Sequence, residues 1–298
     1  MSTGRWTLGI LGGSGLYDIE GLENRQWVSV DTPWGEPSDD ILFADYGDVR
    51  LRFLPRHGRG HPLSPSTVPY RANIDALKRS GCTDVLSISA VGSLKEAYAP
   101  GHFVAVNQFI DRTRGRESSF FGPGCVVHVS LADPVCSRLS GMIADAAEEA
   151  GATVHRPMAD RSMMTYLAME GPQFSTKAES HLYRHWGADV IGMTNMPEAK
   201  LAREAELPYA TLAMVTDYDC WHEGHGSVDV ASVIAVLQQN AKTAGEAVRV
   251  LCESLQGMER TPSPDGIERC LDVAMITAPE ARDKRVLAKL DAIAGRVL

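Results

Sequence analysis

Tyr209-Ala210-Thr211-Leu212-Ala213-Met214-Val215-Thr216-Asp217-Tyr218-Asp219-Cys220-Trp221 is the stretch whose reading decides the fold. An apolar, partly β-branched run of this length reads as a strand buried in a covered sheet. It feeds straight into two carboxylates at positions i and i+2. In open α/β sheets, ligands bind just beyond the carboxyl ends of such strands. If the backbone stays extended, Asp217 and Asp219 point to the same side. Two carboxylates on one side repel, so at least one must titrate abnormally or meet a donor. That suits a site that gives or accepts a proton at a heterocycle. A surface loop with a capping Asp is the plainer reading of the same residues.

The same arrangement, a strand followed by a polar cluster, recurs upstream. Trp6 to Leu11 reads as a first strand and runs into Gly12-Gly13-Ser14-Gly15-Leu16. Glycines there let backbone N–H groups approach a ligand, and Ser14 adds a hydroxyl, which makes a nest for an oxyanion. The dinucleotide fingerprint is not met, because Asp18 stands where its third glycine would be. Val49 to Leu54 ends at Pro55-Arg56-His57-Gly58-Arg59-Gly60-His61, a local cationic patch with a planar guanidinium fork suited to phosphate. A solvated loop is the competing reading.

Further strands are expected at Asp84 to Ala90, ending in Ser89-Ala90-Val91-Gly92-Ser93, and at Phe103 to Ile110. Two more are expected at Met163 to Met169 and Val190 to Met193, which end in Glu170-Gly171-Pro172-Gln173-Phe174-Ser175-Thr176 and Thr194-Asn195-Met196-Pro197-Glu198. Helices are expected over 70–80, from an Asp133-Pro134 cap to Ala150, over 177–186 with Ser175 or Thr176 as cap, and over 228–255 capped by Ser227 or Asp229. The glycine-rich aromatic segment 114–124 reads as a loop ordered over a site or against another subunit.

Strands alternating with helices predict the α/β class: a single three-layer domain with a mixed central sheet flanked by helices and one ligand pocket at a sheet edge. Residues 1–255 form that domain. Residues 256–298 are expected to be a turn-rich linker and a C-terminal helical tail packed on it. The net charge of −9 argues against nucleic acid and anionic membrane as partners. Six scattered cysteines without a CxxC pair argue against zinc and thioredoxin-like chemistry. The short apolar N-terminal run suits a strand better than a signal peptide, and no stretch approaches a membrane span. The expectation is a reduced, cytoplasmic protein.

Together the clusters offer hydroxyls, glycine N–H groups, Arg and His for an inorganic phosphate, without metal or Lys. Phe174 and Met193 suit a purine face and a ribose edge, although either taken singly reads as core. Asp217 and Asp219 then face the edge of the base. No Walker loop, HExxH or nucleophile elbow is present.

In this order GGSGL, RHG, AVGS, EGPQFST-AES, IGMTNMPEA-LA-E and TDYDCW resemble the trimeric nucleoside phosphorylases, and within them the methylthioadenosine phosphorylase branch. The resemblance covers roughly residues 7–255. It implies phosphorolysis of S-methyl-5′-thioadenosine to adenine and 5-methylthioribose 1-phosphate by a homotrimer, with phosphate as co-substrate and no cofactor. Ser14, Arg56, His57, Ser89, Ala90 and Thr194 would hold phosphate. Met193 would sit against the ribose, and Phe174 would flank the base. Asp217 would serve N7, Asp219 the exocyclic amine, and His128 would reach in from a neighbouring subunit. Members acting on 6-oxopurines carry Glu where Ser175 stands and Asn where Asp217 stands, so this chain is expected to favour a 6-amino base. The glycines at Gly224 and Gly226 depart from the family pattern over the 5′ pocket. The alternatives are a 6-oxopurine nucleoside or methylthioinosine phosphorylase, and a non-catalytic nucleoside-binding protein.

Overall fold

The computed structural model describes residues 4–13, 15–158, 163–222 and 230–298. Ser14, Gly224, Gly226 and the caps expected at Ser227 and Asp229 lie outside them. The elements run β1 (Thr7–Gly12), β2 (Glu23–Val28), β3 (Ile41–Tyr46), β4 (Val49–Pro55), α1 (Tyr70–Arg79), β5 (Asp84–Ser93), β6 (Phe103–Val106) and β7 (Gln108–Asp111). They continue with α2 (Ser137–Glu149), β8 (Val154–His155), β9 (Thr165–Ala168), α3 (Lys177–His185), β10 (Val190–Gly192), α4 (Asn195–Glu204), β11 (Tyr209–Asp217) and α5 (Val230–Ser254).

The strands form one mixed sheet that forks at β5. Its main path is β2-β3-β4-β1-β5-β10-β9-β7. β11 runs parallel to β5 from Tyr209 opposite Val85 to Asp217 opposite Gly92, with an irregularity between Val215 and Asp217. β10 meets the same end of β5 antiparallel, Ile191 opposite Gly92 and Val190 opposite Ser93. The two branches part where β5 ends, and there the sheet leaves room for a ligand, as strand-order switches do.

Alternation along β11 builds the layers. Leu212 and Met214 join Leu8, Ile10, Leu86 and Ile88 beneath Leu139 and Ile143 of α2 and Val248 and Leu251 of α5. Ala213 and Val215 face the opposite core, with Ile74 and Leu77 of α1 and Ala199 and Leu201 of α4. The period-2 switch of side-chain direction puts both faces of one strand under helices. The three-layer expectation holds.

Several expected boundaries shift. The single strand at 103–110 is two, because β6 pairs with β11 and β8 while β7 pairs with β9. Asn107 carries the crossing, its N–H donating to the Met164 carbonyl and its Oδ1 accepting from the Met164 N–H. α2 begins at Ser137 rather than at Asp133-Pro134, and its first turn is tied by Asp265, which accepts from the Ser137 N–H at 2.8 Å. α3 takes Thr176, one of its two candidate caps, and closes a capping box with Glu179.

The presumed linker is pinned down. Trp6 Nε1 donates to the Met258 carbonyl, and Arg260 pairs with the buried Asp84. The charged tail is not one helix. It is a 3₁₀ segment at Pro279–Ala281 followed by the four-residue helices α6 (Lys284–Leu287) and α7 (Asp291–Ala294). Leu290, Ile293 and Ala294 are buried in the α1–α4 core, so the tail belongs to the same body.

Candidate active site

The ends of β1, β4, β5, β10 and β11 converge at the fork, so the sequence clusters meet there. Arg56 follows β4 and turns inward, with its main-chain N–H donating to the Gly12 carbonyl of β1. Its guanidinium is buried and paired with the equally buried Glu198 of α4. Nη2 donates to Leu11 O at 3.1 Å, Ser87 Oγ at 2.6 Å and Glu198 Oε2 at 3.2 Å, and Nη1 donates to Ile88 O at 3.0 Å. Glu198 Oε2 also accepts from Ser87 Oγ at 3.0 Å and Tyr209 OH at 3.1 Å. Burial and the Glu198 charge push the Tyr209 phenol well up, so it stays a donor. Asn195 Nδ2 adds contacts to Ser87, Tyr209 and Thr211 hydroxyls.

The expected cationic patch is therefore neutralised. Glu198 offsets Arg56, and Asp39 with Asp40 offsets Arg59. His57 Nδ1 lies 2.8 Å from the Leu63 carbonyl, an acceptor only, so Nδ1 carries the proton. Burial and the adjacent Arg56 push the His57 imidazole down to about 4, leaving it neutral near pH 7.

Beside this network, Ser89 Oγ and Thr194 Oγ1 face each other at 3.4 Å, from the second half of β5 and the N-cap position of α4. Ala90 is the exposed residue within the otherwise buried run of β5 from Asp84 to Val91. Ser89, Ala90, Thr194, Arg56 and His57 thus lie together around one corner of the fork. Ser14 falls outside the described residues, next to the exposed Gly13.

The other corner holds the carboxylates. Asp217 ends β11, and Thr216 Oγ1 donates to its Oδ2 at 2.7 Å. The backbone does not stay extended. Asp219 takes φ +52°, the left-handed region that Asp tolerates better than most side chains, and its N–H donates to Asp217 Oδ1. Burial pushes the Asp217 carboxyl up. Burial, then the Asp217 charge, pushes Asp219 up to about 6, with the Ser180 hydroxyl acting against it. Asp219 Oδ2 and Ser180 Oγ are both buried and neither has a well-aligned partner among the described residues, though the hydroxyl lies near enough to favour the carboxylate. Gly92 sits against the pair. A Cβ there would meet Asp217 Oδ1 at 2.9 Å and Ile191 Cγ2 at 3.2 Å, too close for an ordinary contact.

Ser175 is buried next to this corner. Its hydroxyl contacts Met169 Sδ at 3.6 Å, and its carbonyl accepts from Cys220 Sγ. Phe174 is half exposed, and Met193 is half-buried against Gly171. His128 is exposed on the segment bridged to residue Met275, with its own N–H given to the Ala274 carbonyl. In this chain it contributes nothing to the cleft.

Three residues that sequence reading passed over are structural to the site. Glu198 stood inside a quoted motif without a role, because a Glu directly after Pro197 in the first turn of a helix reads locally as an ordinary helix-start acid. Gly92 carried no visible signal of close approach. Arg116, within the 114–124 loop, donates to the Met193 and Met196 carbonyls at 2.6 and 2.8 Å and to the Glu170 carbonyl at 2.7 Å. It staples the segment before Phe174 to the segment before α4. The loop is expected over a site or against another subunit; Arg116 ties it to Glu170, Met193 and Met196 of its own chain.

Among the described residues no group of three or more His, Cys, Asp or Glu could hold a metal ion, and no helix is long and apolar enough to cross a membrane. The arrangement pairs a hydroxyl-lined corner backed by a neutralised guanidinium with two carboxyls of raised pKa.

The phosphorylase superfamily profile matches residues 7–253. The chain is 60% identical over 291 residues to the S-methyl-5′-thioadenosine phosphorylase of Cereibacter sphaeroides, covering 98% of each sequence. It is 56% identical to the protein of the same name from Rhodospirillum rubrum, covering 98% of this chain and 97% of that one. Among solved structures it resembles a methylthioadenosine phosphorylase from an antarctic soil metagenomic library, with TM-score 0.89, 44% identity and coverage of 97% and 99%. It also resembles a Schistosoma mansoni adenosine/methylthioadenosine phosphorylase variant in complex with adenine, with TM-score 0.84, 34% identity and coverage of 91% and 99%.

Proposed function

The chain belongs to the phosphorylase superfamily, and from that premise we propose that it cleaves S-methyl-5′-thioadenosine with inorganic phosphate, releasing adenine and 5-methylthioribose 1-phosphate. The observation that carries this reading is the pair of the half-buried Asp217 and the buried Asp219, held against Gly92 beside Ser175. The names of its close relatives point the same way.

As the C1′–N9 bond lengthens, positive charge builds on the sugar and negative charge on the purine, as in glycoside hydrolysis. A phosphate oxygen bonds to C1′. Asp217 gives its proton to N7 of the leaving base, a step typically worth about 10²–10⁴-fold. Burial supports that role by keeping its carboxyl protonated more readily than a free one. Asp219 accepts from the 6-amino group. Ser89, Ala90 and Thr194, with Ser14 and the Arg56–His57 turn, hold the phosphate. Met193 borders the ribose, Phe174 borders the base, and Ser175 lies at its edge. Written this way the reaction calls on no cofactor.

Phe174, Leu182 and Trp186 expose apolar surface near α3, while Val126, Val273 and Ile276 do so along the segment that carries His128 and the one bridged to it. Two dissimilar apolar patches suit a head-to-tail contact that closes into a ring. We read the assembly as a homotrimer in which His128 of one subunit completes the pocket of the next. Light scattering should give a particle of about three times 32.3 kDa, and a fully active monomer would refute the reading. Six free cysteines suit a reducing cytoplasm.

The decisive assay is adenine release from methylthioadenosine, compared with adenosine and inosine, with and without phosphate. Release without phosphate would mean hydrolysis, and binding without release would mean a non-catalytic binder.

A further inference from the structure

We propose that Glu198 is a positioning residue that leaves the phosphate corner without net charge, so that the site selects its anion by hydrogen bonding and protonation rather than by electrostatic attraction. The inference rests on the phosphorolysis reading above and concerns how that site discriminates between anions.

The argument is one of charge and donors. Arg56 is the cation from the RHGRGH cluster that turns into the fork, and all but one of its guanidinium hydrogens have partners in the protein. Nε and Nη2 hold Glu198, Nη2 also meets Leu11 O and Ser87 Oγ, and Nη1 meets Ile88 O. Both side chains are almost fully buried, at 3% and 2% exposure, so solvent screens neither charge. The pair is further fixed by Ser87 and Tyr209, whose hydroxyls donate to Glu198. Arg59 is held by Asp39 and Asp40, and Arg116 by Glu170. His57 keeps its Nδ1 proton on the Leu63 carbonyl, which leaves Nε2 as a lone pair. Among the described residues, what remains for an anion is the pair of neutral hydroxyls of Ser89 and Thr194, beside the exposed Ala90, and a second Nη1 hydrogen of Arg56, whose charge Glu198 balances.

A neutral corner penalises doubly charged ions, because desolvating a second charge without a counter-charge costs more than it regains. Phosphate can enter carrying a proton. Sulfate, of nearly the same size and shape, cannot do so near neutral pH. A corner held by an unbalanced Arg56 would take both dianions about equally.

The test uses the intact enzyme and steady-state adenine release. In the wild type, sulfate should compete with phosphate with a Ki at least about 30-fold above the KM for phosphate, a gap within the reach of one lost charge-assisted bond. Glu198→Gln keeps the side-chain shape but unmasks the Arg56 charge. It should narrow that ratio by about tenfold, mainly by tightening sulfate. A wild-type sulfate Ki within about threefold of the phosphate KM would overturn the proposal. So would an unchanged ratio in a Glu198→Gln variant that keeps the wild-type circular dichroism. If Glu198→Gln does not fold, the wild-type ratio decides alone. Adenine release that needs no phosphate would instead defeat the phosphorolysis reading, whatever sulfate does.

Discussion

The main-chain N–H of Asp219 donates to Oδ1 of Asp217 at 2.8 Å, so the backbone of the second acid holds the carboxylate of the first. With Thr216 Oγ1 on the other oxygen, Asp217 has a fixed orientation at the end of β11. Asp219 Oδ2 stays buried without a well-aligned donor among the described residues, with the Ser180 hydroxyl nearby.

That division of labour sets the first prediction. Asp217→Asn keeps the shape but has no proton to transfer. Turnover on methylthioadenosine should fall by about 10²–10⁴-fold, with a smaller change in nucleoside binding. The amide can donate to a 6-carbonyl, so the ratio of kcat/KM for methylthioinosine to that for methylthioadenosine should rise even as both fall. An unchanged rate and ratio would remove Asp217 from the chemistry.

Gly92 supplies the second. Gly92→Ala places a methyl 2.9 Å from Asp217 Oδ1 and 3.2 Å from Ile191 Cγ2. One of the two must move, and the carboxylate is the more easily displaced. The expected result is a loss of kcat of about 10²-fold from misplacement of roughly an ångström, with Tm lowered by only a few degrees. Full activity would show that the pair tolerates displacement.

The layout of strands and post-strand clusters was legible because each buried strand leaves a short apolar run and each ligand corner a polar one. Thr176 and Glu179 could be read as a capping box because both partners lie within one turn. What could not be read was long-range pairing. Nothing near Arg56 in the chain announces Glu198, 142 positions on, and nothing near Ser137 announces Asp265 as the group that ties its helix. The split at Asn107 depends on which neighbour each half of the strand finds, which local propensity does not encode.

The buried pair also separates a folding lesion from a binding lesion. Arg56→Ala strands Glu198 in the interior and should cost about 3–5 kcal/mol of stability, seen as a large drop in Tm. Thr194→Ala removes a hydroxyl whose described side-chain contact is Ser89 at 3.4 Å. It should leave Tm nearly unchanged and raise the KM for phosphate by about fivefold to tenfold. Differential scanning fluorimetry with phosphate kinetics distinguishes the two. A stable Arg56→Ala protein would show that the pair is not what holds the β1, β4, β5 and α4 ends together.

Glu204, near the C-terminal end of α4, gives the pH dependence. Its carboxylate accepts from Ser119 Oγ and the Phe120 N–H, both at 2.7 Å, tying the aromatic loop to α4. Burial outweighs these donors and pushes the carboxyl up to about 7. The folded pKa therefore lies above the unfolded value of 4.5, and protonation favours the folded state. That contribution is fully present below pH 4.5 and is lost as pH rises through about 7. Glu204→Gln mimics the protonated form at every pH. The variant should match the wild type at about pH 4.5 and exceed it by about 2–3 kcal/mol at about pH 8. Asp219 shifts in the same direction and His57 in the opposite one, but both are common to the two proteins and cancel in the difference. Thermal melts of wild type and variant across this range check it. A stability gap that stays constant with pH would mean that Glu204 does not titrate in the folded protein, and that its two hydrogen bonds rather than its burial set its charge.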